Sequence, residues 1–230
     1  MNINRRFEYF PLERVTREDG VRHYLCPETG THVPSVTTIL DATSDKKGAL
    51  LEWKKRVGEK RAQREKEDAT GLGSLMHTHI ENYVMGVPRP GGNNLVRVQA
   101  ARMADQIINQ GLPDVDEVWG QEVALYYPGL YAGTTDLPGV YRGRQAIMDH
   151  KTAKKLRKRE QITDYFDQLA AYALAHDHHF GTKIEIGVIF MVSRTFEFKE
   201  FIVEPDELEE RKATFLCRYE RFMEMVAAAA

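Results

Sequence analysis

Two short runs of mixed apolar and polar residues, 13–17 and 21–25, flank Asp19-Gly20 and predict an N-terminal β-hairpin. A turn at Pro27-Glu28-Thr29-Gly30 follows, and the stretch from Pro34 to Leu40 reads as an extended segment. Residues 47–68 are strongly polar and predict a helix that breaks at Thr70-Gly71-Leu72-Gly73, with a second helix from Ser74 to about Val84. The loop Gly86-Val87-Pro88-Arg89-Pro90-Gly91-Gly92 separates these from a third helix over 95–110, which Gly111-Leu112-Pro113 ends. Strands are predicted at 115–127, 130–137 and 145–151. A helix at 160–178 carries Ile162, Phe166, Leu169, Ala170 and Ala173 at helical spacing. Strands at 184–193 and 196–203 follow, and Pro205 opens a final helix. Strands interleaved with helices in this order predict an α/β fold, a mixed sheet flanked by helices. Its parts are a hairpin and extended segment (1–45), a helical region (46–112) and a core (113–230), packed as one compact domain.

Within that pattern the segment from Asp136 to Asp149 carries the most chemistry. A two-residue turn at Arg142-Gly143 pairs Tyr141 with Arg144, and continuing outward brings Asp136 opposite Asp149. Facing carboxylates about 5 Å apart repel unless a cation lies between them, and a hard divalent ion is the usual answer. Pro138-Gly139 predicts a bulge in one of the two strands. Side chains alternate along a strand, so Lys151 projects with Asp149 while His150 points away. Lys151 beside a metal could orient or deprotonate the attacking water, or neutralise charge at a phosphate.

Other residues join this centre by spacing. Glu122, in the preceding strand, offers another carboxylate at the same end of the sheet. His77 and Glu81 share one helical face, and so do Gln168 and Tyr172. Lys154, Lys155 and Lys158, in a run with Arg157 and Arg159 and no acid, suit contact with a phosphate backbone. Trp53, on the polar helix, reads as a packing residue, and His176-Asp177-His178-His179 as histidines favoured by a helix C-terminus rather than a metal site.

Composition changes this picture little. The chain has 230 residues, 42% hydrophobic and 29% charged, with a net charge of -2, so any basic surface must be local. No apolar run approaches a membrane span and no signal peptide is evident, which predicts a cytosolic protein with no membrane partner. Two cysteines cannot supply the four ligands of an iron–sulfur cluster.

Taken together, Pro34-Ser35-Val36-Thr37, Gly73 to His77, Glu122, Gly133 to Asp136, Asp149-His150-Lys151-Thr152 and Gln168 to Tyr172 resemble the PD-(D/E)XK nuclease superfamily. The similarity is to its RecB-type exonucleases, in the branch of the mitochondrial genome maintenance exonuclease and its phage and bacterial relatives. The superfamily's proline-aspartate pair is missing, because Thr135 precedes Asp136. The resemblance implies a restriction-endonuclease-like core and cleavage of DNA phosphodiesters with Mg2+ or Mn2+. It makes His77, Asp136 and Asp149 metal ligands and Lys151 the catalytic lysine; Asp136, Asp149 and Glu122 are further catalytic candidates, and His150 a further candidate metal ligand. Gln168 and Tyr172 become DNA-binding candidates along with the lysine run. The activity implied is that of an exonuclease favouring single-stranded DNA, in a bacterial or phage-infected cell. DNA repair or recombination is the setting, and a helicase, a single-strand-binding protein or a recombination protein is the partner. The alternatives are an exonuclease that resects duplex ends for recombination and a non-catalytic nucleic-acid-binding module.

Overall fold

One ten-residue strand, β8 (Arg144–Ala153), is buried along most of its length and organises the molecule. In the computed structural model, which describes residues 3–16, 21–45 and 47–229, β8 is the centre of a five-stranded sheet of order β10-β9-β8-β7-β4. The other strands are β4 (Val115–Val118), β7 (Leu137–Tyr141), β9 (Ile186–Ser193) and β10 (Phe198–Val203). Only β8 and β9 run parallel. That pairing requires a crossover, supplied by helix α5 (Thr163–Phe180). All eight residues of β9 are buried, as expected of a strand with helices on both faces.

The two faces have separate cores. Ile147, Ile189 and Met191 pack against α5, against α1 (Val36–Ala42) and against α6 (Pro205–Ala229). Ala146, Met148, Val188 and Phe190 pack against α3 (Glu59–Met85) and α4 (Leu95–Gln110). The alternation along β8 thus assigns odd positions to the α5 side and even positions to the α3 side.

Two small sheets complete the fold. One is β1 (Arg14–Thr16), β2 (Arg22–Leu25) and β3 (His32–Pro34), and the other is the hairpin β5 (Val123–Tyr127) and β6 (Tyr131–Thr135). They share a core of Tyr24, Cys26, Val33, Tyr126 and Ala132, and a bridge from Ser35 to Ala132 ties them together. The expected Asp19-Gly20 turn lies outside the described residues. Among the described residues no helix is long and apolar enough to cross a membrane.

The β7–β8 register matches the expectation from Tyr141↔Arg144 to Leu137↔Met148. Arg142 and Gly143 have φ of 47° and 77°, the pair of positive values that a type I′ turn requires. Four other expectations need correction. The first concerns the helix break: α3 runs uninterrupted through Gly71 and Gly73, and the break falls at Gly58, where φ is 83°. Leu72, Met76, Ile80 and Val84 form a buried stripe along α3, and its packing outweighs the roughly 1 kcal/mol each glycine costs in a helix. Next, residues 36–42 form α1 rather than extended chain, because Ser35 caps it: its Oγ accepts the Thr38 N–H at 3.0 Å. The bulge lies in β4, between Val115 and Glu117, not at Pro138-Gly139. Pro138 turns its carbonyl, and hence its nitrogen, towards β4, where the chain is already leaving the ladder at Trp119. Finally, 115–127 and 130–137 are each two elements, parted at 119–122 and at Asp136.

Candidate active site

The last turn of sheet before β8 leaves the core brings together groups from four elements. Asp149, 2% exposed, and Lys151 project to the α5 side, with Lys151 Nζ 2.6 Å from Asp149 Oδ2. The ammonium also lies 5.1 Å from the centre of the Tyr165 ring. Burial disfavours charge on Lys151, but Asp149 and Asp136 outweigh it and hold its pKa above the ordinary lysine value. Lys151 is therefore an ammonium here. Burial also raises the pKa of Asp149, and the neighbouring Asp136 adds to the rise against the pull of Lys151.

Asp136 leaves the β7–β8 ladder and so does not stand opposite Asp149 as a ladder pair. Its Oδ2 instead accepts the backbone N–H of His150 at 2.7 Å. His150 points to the α3 side, stacked 5.9 Å from Phe190, with Nδ1 3.5 Å from Asp136 Oδ2. Burial, reinforced by the charge on His77, lowers its pKa to about 3. It is a neutral imidazole whose buried Nε2 has no hydrogen-bond partner among the described residues.

His77 reaches in from α3. Its Nε2 lies 3.0 Å from the His150 carbonyl oxygen, an acceptor, so this nitrogen carries a proton. Its Nδ1 is 3.5 Å from both Asp136 Oδ2 and Glu122 Oε1. Burial opposes protonation of His77, but Asp136, Glu122 and Asp149 prevail and hold the pKa at about 9. Glu122 is not within a strand. It stands in the bend before β5 with φ of 47°, its N–H donated to the Asp136 carbonyl at 3.0 Å.

Single ligand atoms of His77, Asp136 and His150 lie within 4.8 Å of one another, as do those of His77, Glu81 and Glu122. The first set, the Asp136 carboxylate with the His77 and His150 imidazoles, fits a divalent cation, and the Glu81 and Glu122 carboxylates stand beside it. Asp149 belongs to neither triad; it stands beside them with Lys151 Nζ 2.6 Å from its Oδ2.

Gln168 and Tyr172 share a cavity of about 280 Å³ with His77, Glu122 and Asp136. Gln168 Nε2 donates to Tyr172 Oη at 3.3 Å. Tyr172 fits because residue 133 is glycine: a Cβ there would stand 2.9 Å from the ring. Gly133→Ala is therefore expected to displace Tyr172 at a cost of about 1–3 kcal/mol. It should lower Tm by about 2–4 °C for each kcal/mol. An unchanged Tm would mean that the Tyr172 ring moves aside without cost.

The same cavity receives Arg14 and Arg22 from the β1–β2 hairpin, which the sequence reading did not single out. No local motif marks them. They reach the site only because the Ser35–Ala132 bridge carries the hairpin to β6. The basic run divides: Lys154, Lys155 and Lys158 are exposed, whereas Arg159 is taken up by Glu207 and by the Phe166 ring at 4.6 Å. His176 is structural, 2.9 Å from Tyr9 Oη and 2.8 Å from Thr182 Oγ1, stacked on Trp119, its pKa lowered to about 4 by burial.

No protein-family model matches the sequence, and no curated protein does. Among solved structures, a candidate exonuclease from Eubacterium rectale superposes with a TM-score of 0.53 at 14% identity, over 71% of this chain and 69% of that one. An alkaline exonuclease from Laribacter hongkongensis gives a TM-score of 0.33 at 13% identity, over 68% of this chain and 84% of that one. The first likeness establishes a shared mixed α/β fold.

Proposed function

We propose that the protein is a divalent-metal-dependent DNA exonuclease of the PD-(D/E)XK type, acting on single-stranded DNA. The reading rests on one observation above all: a buried carboxylate, Asp149, and an ammonium, Lys151, leave the same face of β8 beside Asp136 and His77. Such a concentration of buried charge costs stability, and a task explains why a fold retains it. His77, Asp136 and His150, whose ligand atoms converge, would hold Mg2+ or Mn2+, with Asp149 as the further carboxylate beside them; when bound, the ion would supply Lewis acidity at the scissile phosphate and an acidified water. Lys151 brings fixed positive charge to the phosphate. As an ammonium, it orients the attacking water and neutralises developing charge rather than removing a proton. Gln168 and Tyr172 position the substrate strand in the cavity. The resemblance to RecB-type exonucleases supports the choice of DNA and of a role in repair or recombination, with unwinding supplied by a helicase partner.

End-labelled single-stranded and duplex DNA, incubated with Mg2+, Mn2+ or chelator, tests the reading. Metal-dependent shortening of the single strand is expected, and faster digestion of blunt duplex ends would favour end resection instead. DNA binding without cleavage in either metal would leave a binding module.

His77 gives a second test. With its pKa near 9, it must release a proton before it can ligate a metal. Metal affinity should therefore fall as pH drops below about 9, by up to tenfold per unit, with protons released on binding. His77→Ala should bind Mn2+ more weakly at pH 9 and show a flatter pH dependence, read by calorimetry in buffers of differing ionisation enthalpy. Superimposable wild-type and variant titrations would make His77 a structural ion-pair partner only.

A further inference from the structure

Trp53 projects from α2 (Lys47–Val57) and, among the described residues, belongs to none of the three apolar clusters of the core. It is half-buried between two adjoining cavities of about 690 and 460 Å³, which share Trp53, Lys66 and Arg157 as common walls. The first is closed by Tyr165, whose ring lies 5.1 Å from Lys151 Nζ. The second reaches Thr152, the residue after Lys151. The two cavities share these walls as one groove, running along α2 and α3 towards Lys151.

Its charges are available. Lys54, Lys66, Lys154, Arg157 and Arg194 line the groove, and none makes an ion pair or a side-chain hydrogen bond among the described residues. Of the acids on its walls, Asp164 is held by Arg218 at 2.8 Å and Glu65 by Arg61 at 3.2 Å, leaving Asp41 and Asp68. For Asp41, burial and the nearby Asp164 raise the pKa.

We infer that this groove is the track along which a single-stranded nucleic acid reaches Lys151, its bases stacked on Trp53 and Tyr165 and its phosphates held by the cations. The inference rests on the nuclease reading and names the substrate path for that same site. Aromatic faces interleaved with unpaired cations suit a single strand, because only unpaired bases can stack on a side chain, while the cations follow the backbone. Duplex DNA offers the charges but not the free base faces.

The probes are a fluorescein-labelled dT12 in chelator and, separately, bis(p-nitrophenyl) phosphate with Mn2+, an ester too small to extend along the groove. Trp53→Ala is expected to weaken dT12 binding about tenfold or more, with Trp53→Phe restoring most of it. Replacing Lys66 and Arg157 with Ala should reduce the slope of log affinity against log salt by about 0.7 for each contact. Hydrolysis of the small ester should be unchanged in all these variants. Wild-type dT12 affinity and salt slope in Trp53→Ala and in the Lys66/Arg157 variant, with the ester still hydrolysed, would overturn the track and leave the nuclease reading standing. A wild-type protein that neither binds dT12 nor hydrolyses the ester would overturn both.

Discussion

Lys151→Ala is expected to lower DNA cleavage by roughly 10²–10³ in kcat or more, the scale for removing one preorganised group that stabilises transition-state charge, with DNA affinity little changed. Lys151 is an ammonium held against Asp149 at 2.6 Å, so it contributes fixed charge at the reacting phosphate rather than grip on the strand. Removing it leaves Asp149 buried without its counter-ion, a loss that costs several kcal/mol if the carboxylate stays ionised. Asp149 can instead take up a proton, since burial already raises its pKa. The sign is that of a group whose folded pKa lies above its unfolded value. Stability is therefore retained below the unfolded carboxylate pKa and lost as pH rises through the folded one. The Tm deficit of Lys151→Ala relative to wild type should accordingly widen from acid towards neutral pH. Near-wild-type kcat under saturating Mg2+ would overturn the role of Lys151, and a deficit that narrows with pH would mean that Asp149 stays ionised without it.

The parts of this molecule that local rules govern were legible in the sequence. The β7–β8 register followed from a two-residue turn at Arg142-Gly143 and from alternation, which also assigned Lys151 to the face of Asp149. Helices α4, α5 and α6 followed respectively from the stop at Gly111-Leu112-Pro113, from apolar spacing and from Pro205. Long-range packing decided the rest. Gly71 and Gly73 looked like a break, but they lie inside α3 where it passes over β8, and a Cβ at 73 would be in ordinary contact with Thr152 Oγ1 at 3.6 Å. Asp136 was expected across the ladder from Asp149, yet the change of direction between β6 and β7 gave its carboxylate to the His150 N–H. His150 illustrates the limit most clearly. Alternation correctly sent it away from Asp149, but only the position of α3 turned that other face into a second wall of the site, with His77 against the His150 carbonyl. Arg14, Arg22 and Trp53 carry no motif at all, and each acquires a candidate role only through the element packed against it.

A linear single strand is expected to be degraded rapidly, and a circular single strand of matched sequence slowly or not at all. On the proposed path the strand travels along α2 and α3 past Trp53 to Lys151 and Asp149. Beyond them lies the small cavity walled by the N-terminal sheet, through Arg14, Arg22 and Tyr24, and by Gln168 and Tyr172 on α5. A chain end can enter that cavity, and its Arg14 and Arg22 suit the charge of the phosphates next to the scissile bond. A circle would have to run in and out through the same walls, bending sharply while giving up its contacts in the groove. The contrast should therefore appear in kcat/KM, by roughly a hundredfold if it equals the loss of the two stacking contacts on Trp53 and Tyr165 at ~1.4 kcal/mol each, and should persist at saturating metal. The experiment is a time course on a ligated circle and on its linear precursor, resolved on a denaturing gel. Comparable rates on the two forms, with internal fragments from the circle, would establish an open endonucleolytic cleft. Arg14→Ala combined with Arg22→Ala should slow the linear substrate towards the rate of the circle, because the pair acts only on a strand that has reached the cavity.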